Sequence, residues 1–223
     1  NREVSYVPGD VALWPNLTGG QVLDALAGLR GSRDRAREEE LTERFELDPS
    51  KKVRTYSKGN RQKVALIAAL AAPTRLLVLD EPTSGLDPLM ERVFTQEVAR
   101  AASAGRTILL SSHVLAEVQS LCSAVTIVKD GRVVEDGDLG TLRRLSRTRV
   151  EVRDTPGLLD AVAAALTALG TAPERDGDHL VVQVPAGRVP EVLEVVARHR
   201  ATDVTCQAAS LEDLFLRHYE DVL

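Results

Sequence analysis

The run Leu76-Leu77-Val78-Leu79-Asp80-Glu81-Pro82 constrains this chain more than any other stretch. Four consecutive apolar residues between a turn and an acidic pair predict a strand buried on both faces, as in a parallel sheet flanked by helices. Such a strand delivers two adjacent carboxylates to the carboxyl edge of the sheet, where ligands bind in open α/β folds. An aspartate there can hold Mg²⁺ through its water shell, because that ion takes hard oxygen ligands, and the next carboxylate can reach an attacking water. An isolated acidic pair also has a purely structural reading, since the ends of elements are usually polar.

The flanking sequence repeats helix and strand. Val4 to Val7 reads as a short strand closed by Pro8-Gly9-Asp10, followed by a helix from about Thr18 to Leu29 with Thr18 as its cap. Arg33 to Leu47 mixes both signs around Leu41 and Phe45, four apart, which predicts a solvated helix with a thin apolar stripe; a basic nucleic-acid face is the lesser alternative. Ser57 is a natural cap for a helix that places Val64, Ile67, Ala68 and Ala71 on one apolar face and ends at Pro73. After the acidic strand come a helix from Pro88 to Ala104, Gly105 as its stop, and a second buried strand, Thr107 to Leu110. This is α/β grammar. A helix from Leu115 to Cys122 and a strand from Val125 to Val128 follow. Asp130-Gly131 then predicts a hairpin to Val133 and Val134 at the sheet's edge.

After Leu145 the pattern restarts with strands near 149–152, 180–184 and 204–207 and helices near 158–169, 189–198 and 211–219, a small α+β domain. The charge changes at the same place, from net +1 over residues 1–147 to net −6 over 148–223. Two domains are therefore expected, 1–146 and 147–223.

A net charge of −5 gives no general electrostatic reason to bind nucleic acid or an anionic membrane, and 3% aromatic residues leave little for base stacking. Cys122 and Cys206 are too few for a disulfide framework and lack zinc spacing, so two reduced packing cysteines are expected. The longest apolar stretch, Val64 to Leu79, is broken by Pro73 and Arg75 and falls short of the ~20 residues of a membrane helix. No basic-then-apolar leader opens the chain, so no signal peptide is expected.

Residues 80–88, Asp-Glu-Pro-Thr-Ser-Gly-Leu-Asp-Pro, are preceded by Tyr56-Ser57-Lys58-Gly59-Asn60-Arg61-Gln62-Lys63 and followed by Ser111-Ser112-His113. In this order the three motifs resemble the ATP-binding cassette (ABC) ATPases. The resemblance implies a partial P-loop NTPase core with a mostly parallel sheet, with Leu76 to Asp80 as the Walker B strand. Asp80 would position Mg²⁺, Glu81 would be the catalytic glutamate and His113 the switch histidine. Ser84 to Asp87 would be the D-loop, with Asp87 crossing a dimer interface. Ser57, Lys58, Gly59, Asn60 and Gln62 would belong to the signature motif, which faces ATP held by the opposite subunit of a head-to-tail dimer. These assignments suit elementary chemistry: unpaired N–H groups and a positive dipole end at a helix start favour a phosphate, and Gly59 admits close backbone approach.

Three departures qualify the match. The usual pair of glycines is reduced to Gly59, with Lys58 before it and Asn60 after it. The family's Q-loop glutamine would fall near Gly9, which cannot play that part, so Asp10 or the loop backbone is left to do so. No Gly-x-x-x-x-Gly-Lys-Ser/Thr occurs in these residues, so the resemblance implies a chain that starts inside its cassette and does not hydrolyse ATP alone.

The implied role is the ATP-binding subunit of an ABC exporter, cytoplasmic, held at the inner face of the membrane by a transmembrane permease, with no nucleic-acid partner. A soluble cassette of translation or DNA repair and a non-catalytic regulatory cassette are the alternatives. Residues 11–30 would form part of the helical subdomain that receives the permease. Burial of Trp14 is favoured over its exposure as an anchor. The tail's Ser210 is a plausible cap for a helix with Leu211, Leu214 and Phe215 on one face.

Overall fold

The computed structural model describes residues 3–141 and 147–207. The chain forms two compact units, Asn1–Leu121 and Cys122–Leu223.

In the first unit, β1 (Val4–Val7), β2 (Leu76–Asp80) and β3 (Thr107–Ser111) form a parallel sheet in that spatial order. Five helices accompany them: α1 (Gly19–Arg30), α2 (Arg35–Arg44), α3 (Lys58–Leu70), α4 (Pro88–Ser103) and α5 (Leu115–Leu121). Register places Val7, Leu79 and Leu110 in one row across the sheet, and this face carries the apolar core. The opposite row is Tyr6, Val78 and Leu109, of which Tyr6 is 58% and Leu109 61% exposed. Burial on both faces, expected for Leu76 to Leu79 and for Thr107 to Leu110, is thus corrected to burial on one. The described helices and strands of this unit gather their apolar side chains on a single side of the sheet.

The helices start where local chemistry allows. Thr18 and Gln21 form a reciprocal capping box at α1, with bonds of 2.9 and 3.2 Å, and Gly31 ends it at φ 73°, a left-handed conformation open to glycine. Arg106, just before β3, donates to the carbonyls of Leu70 and Ala69 at the end of α3. The single apolar face expected for α3 proves too narrow. Buried residues run continuously from Gln62 to Leu70, because α1, α2, α4 and β1 all pack against this helix. On α2, Leu41 is fully buried, as is Phe45 just beyond it, while the rest of the helix is mostly charged, matching the thin stripe. Trp14 is 47% exposed, so its expected burial is corrected.

In the second unit, β4 (Ala124–Lys129) and β5 (Arg132–Asp138) form a hairpin whose turn residues, Asp130 and Gly131, have φ of 50° and 73°. Two successive positive φ values make the tight turn that Asp-Gly predicts. The expected place at the edge of a larger sheet is corrected: among the described residues these strands pair only with each other.

The remaining elements are β6 (Arg147–Arg153), α6 (Pro156–Ala168), β7 (Glu174–Asp176), β8 (His179–Pro185), α7 (Val189–Arg198) and β9 (Asp203–Gln207). They form an antiparallel sheet in the order β7-β8-β6-β9, the β-α-β-β-α-β arrangement of ferredoxin-like domains. Val150, Val152, Leu180, Val182 and Val184 pack with Leu159, Val162, Leu166, Val192 and Val196. β7 escaped the sequence because Glu-Arg-Asp is exposed throughout and offers no alternation. Neither cysteine is in a disulfide, but Cys206 is exposed, so only Cys122 is partly packed. The helix expected at 211–219, with its cap Ser210, lies outside the described residues.

Candidate functional site

Parallel pairing brings the carboxyl ends of β1, β2 and β3 together, and with them Gly9, the Asp80-Glu81 pair and Ser111-Ser112-His113. The Ser111 hydroxyl donates to Asp80 Oδ1. A β-carbon placed on Gly9 would lie 3.4 Å from Asp80 Oδ2, so the loop after β1 runs directly beside that carboxylate. Glu81 extends the ladder by one bond, its N–H donating to the Ser111 carbonyl at 3.0 Å. It then turns at φ 45°, a left-handed conformation that a residue with a side chain adopts at a cost of about 1–2 kcal/mol. This turn aims the carboxylate at His113: Glu81 Oε2 lies 2.6 Å from His113 Nδ1. The imidazole is 80% exposed and the Glu81 side chain 33%, so the pair faces solvent at the sheet's edge.

A second cluster joins the start of α3 to the turn after Glu81. Ser57 caps α3, its hydroxyl accepting from the Asn60 N–H at 3.2 Å. Lys58 Nζ donates to Ser84 Oγ at 2.6 Å, so its cation rests on the D-loop in this chain. Gly59 is required by its own neighbours: an added β-carbon would stand 2.3 Å from the Gly85 carbonyl oxygen. Gln62, expected among the nucleotide contacts, instead lies in the core and donates to the Pro82 carbonyl at 2.9 Å. From the second turn of α3 it braces the turn that follows Glu81. Asp87 Oδ1 caps α4, accepting from Leu89 and Met90 at 3.0 Å each.

Asp80, Glu81, His113 and Gly9 thus form one group, and Ser57 to Gln62 with residues 82–85 another; both are anchored on the turn that begins at Glu81. The sequence offered no sign of the Gly59–Gly85 approach or of the Gln62 brace, since each joins residues twenty or more positions apart. Among the described residues no three His, Cys, Asp or Glu side chains gather as a metal cage. Asp80 at this edge fits Mg²⁺ in the other way that ion is bound, by one or two carboxylates with phosphate oxygens and waters completing the shell.

Gly59→Ala is expected to cost about 2–3 kcal/mol, because the clash is with backbone and the D-loop must move. Gly28→Ala, in α1 with open space around it, should stabilise by about 0.5–1 kcal/mol. Urea unfolding of the two variants separates an effect of local space from one of helix propensity.

An α/β unit with an acidic pair and a histidine at the carboxyl edge of its parallel sheet, beside a capped helix, is the arrangement to which comparison with known proteins gives a family. A daunorubicin-resistance ATP-binding protein of Streptomyces coeruleorubidus is 33% identical over 219 residues, covering 92% of this chain and 68% of the relative. An uncharacterized ABC transporter ATP-binding protein of Bacillus subtilis is 36% identical over 149 residues, 65% of this chain and 50% of that protein. The chain therefore belongs to the ATP-binding proteins of ABC transporters. The family profile described as "AAA domain, putative AbiEii toxin, Type IV TA system" matches residues 22–118. A solved ATP-binding subunit of an ABC transporter superposes with a TM-score of 0.61 at 32% identity, covering 64% of this chain and 62% of that one. A dimeric ATP-binding cassette bound to ADP and Pi shares the fold at a TM-score of 0.55 and 23% identity, covering 61% of this chain and 63% of that one. The chain spans about half to two thirds of the length of these relatives.

Proposed function

We propose that this chain is the catalytic and partner-facing part of a subunit that couples ATP binding and hydrolysis to export by a separate transmembrane permease. The observation that carries the reading is the 2.6 Å contact between Glu81 and His113 beside Asp80, at the open edge of a parallel sheet. In this reading Glu81 accepts a proton from the attacking water, and His113 donates to the γ-phosphate and keeps Glu81 oriented. Asp80 holds Mg²⁺, which when bound neutralises charge on the phosphates. Ser57, Lys58, Gly59 and Asn60 present the exposed start of α3 to ATP on a second subunit, and Asp87 stands at the same head-to-tail interface. Gln62 acts only as their brace.

Residues 1–146 are the cassette and 147–223 its accessory domain. The phosphate-cradling motif is not among these residues, so the fragment alone does not turn ATP over. Among the described residues no helix is long and apolar enough to cross a membrane, so membrane attachment falls to the permease. The subunit then works at the cytoplasmic face of the membrane. Exposed Trp14 and the surface around α1 are the proposed seat for that partner, as a large amphipathic ring suits an interface.

The test is Mg²⁺-dependent ATP hydrolysis by the full-length protein, with co-purification of a polytopic membrane subunit. Turnover, together with a permease lost on Trp14→Ala, supports the reading. Absence of hydrolysis in the full-length protein, alone and with the permease, overturns it.

A further inference from the structure

Glu117 lies on α5, four residues beyond His113, and none of the roles above uses it. Its side chain turns inward. Oε2 accepts from the Ser112 hydroxyl at 2.6 Å, and that same hydroxyl oxygen accepts from the Val114 backbone N–H at 3.0 Å. One oxygen therefore grips the chain on both sides of His113. Burial raises the Glu117 carboxyl above the usual range; the hydroxyls of Ser112 and Thr83 oppose this, and the nearby Glu81 and Glu91 carboxylates add to it.

Oε1 is buried and makes no hydrogen bond. An unsatisfied buried acceptor is costly, and its retention asks for a reason. α5 supplies one. It is a seven-residue helix with no fully buried residue, packed against α4, so apolar burial does little to fix the loop before it.

We propose that Glu117 is a positioning residue: by holding the Ser112 hydroxyl, which also takes the Val114 N–H, it fixes the loop carrying His113 against α5 and so sets the His113–Glu81 contact. The inference rests on the function proposed above for those two residues. A carboxyl placed only to fasten α5 would affect stability alone; one that sets the contact also governs the imidazole's environment and the rate.

The experiment compares Glu117→Ala, Glu117→Gln and Ser112→Ala in the full-length protein. Turnover and KM for ATP are measured, and the ring nitrogen resonances of ¹⁵N-labelled histidine are followed without nucleotide. The alanine variants should lower kcat roughly ten- to a hundred-fold, as expected for a misplaced catalytic group, with KM within about twofold. Glu117→Gln, which still offers an oxygen to Ser112, should keep most of the activity. The His113 Nδ1 resonance should move in both alanine variants and stay in place in the glutamine variant. Unchanged kcat and resonance in a folded alanine variant overturn the proposal, as does equal loss in Gln and Ala. If Glu117→Ala does not fold, Ser112→Ala removes the same contact and decides alone. If the wild type turns over no ATP, the functional reading fails, and the His113 resonance still reports whether Glu117 sets the ring.

Discussion

Glu81→Gln in the full-length protein is expected to lower ATP turnover by about 10²- to 10⁴-fold while leaving ATP binding intact. The amide has the same shape and still reaches His113, so the contact at the sheet's edge survives in altered form. What is lost is the basic oxygen that would take a proton from water. The backbone argument points the same way. Glu81 sits at φ 45° because the chain must leave β2 and enter the D-loop in one residue, and glutamine meets that demand about as well as glutamate. Folding and nucleotide affinity should therefore stay near wild type, with the loss confined to kcat. Binding of a fluorescent ATP analogue and steady-state hydrolysis, measured on the same preparation, check both halves. Equal, low turnover in wild type and variant would instead favour the non-catalytic regulatory cassette.

The largest effect on stability is expected at Glu97 on α4. Its carboxylate is fully buried, receives a hydrogen bond from Arg37 and forms an ion pair with Arg44, both on α2. Glu97→Ala leaves two guanidinium groups facing a vacated, poorly hydrated site, and breaking a buried pair from one side costs about 3–5 kcal/mol. Arg37 keeps Glu40 at 2.7 Å, which offsets part of the loss and places the expectation near the lower bound. Even so, about 3 kcal/mol is a large fraction of the 5–15 kcal/mol by which a typical domain is stable. Glu97→Gln keeps a hydrogen-bond acceptor and should cost roughly half as much. The exposed pair Arg35–Glu39, at 3.0 Å on the outer face of α2, is the internal control: Glu39→Ala should cost no more than about 0.5 kcal/mol. Urea titrations of the three variants test this ordering, and a Glu97→Ala midpoint equal to that of Glu39→Ala would refute the assigned role.

Both predictions turn on residues whose surroundings were legible to different degrees. Glu81 was visible from its neighbours, because an apolar run followed by two acids and a proline states its own geometry. Ser57 and Thr18 were readable for the same reason: a cap bonds N–H groups two or three residues ahead, so cause and effect share one short segment. The Asp130-Gly131 turn obeys the same locality. Glu97 gave no such sign. On its helix it reads as one more charged residue, and only the packing of α2 on α4 buries it between arginines 53 and 60 positions away in sequence.

The sheet separates the two kinds of information most clearly. The strands at Leu76 and Thr107 were evident from composition, yet their burial on one face rather than both depends on where the helices fall. Hydrophobicity records that a residue can be buried, not which element will cover it. The width of α3's buried surface, the clash that forbids a β-carbon on Gly59 and the Gln62 brace all belong to this second kind. Sequence by itself determined most of the elements, several of their caps and turns, and the family to which the motifs point, because those rest on interactions within a few residues. Tertiary structure alone decided which acid meets the imidazole, which glycine is sterically obligatory and which charges are sealed from water, because those contacts join segments twenty to sixty residues apart and exist only once the chain has packed.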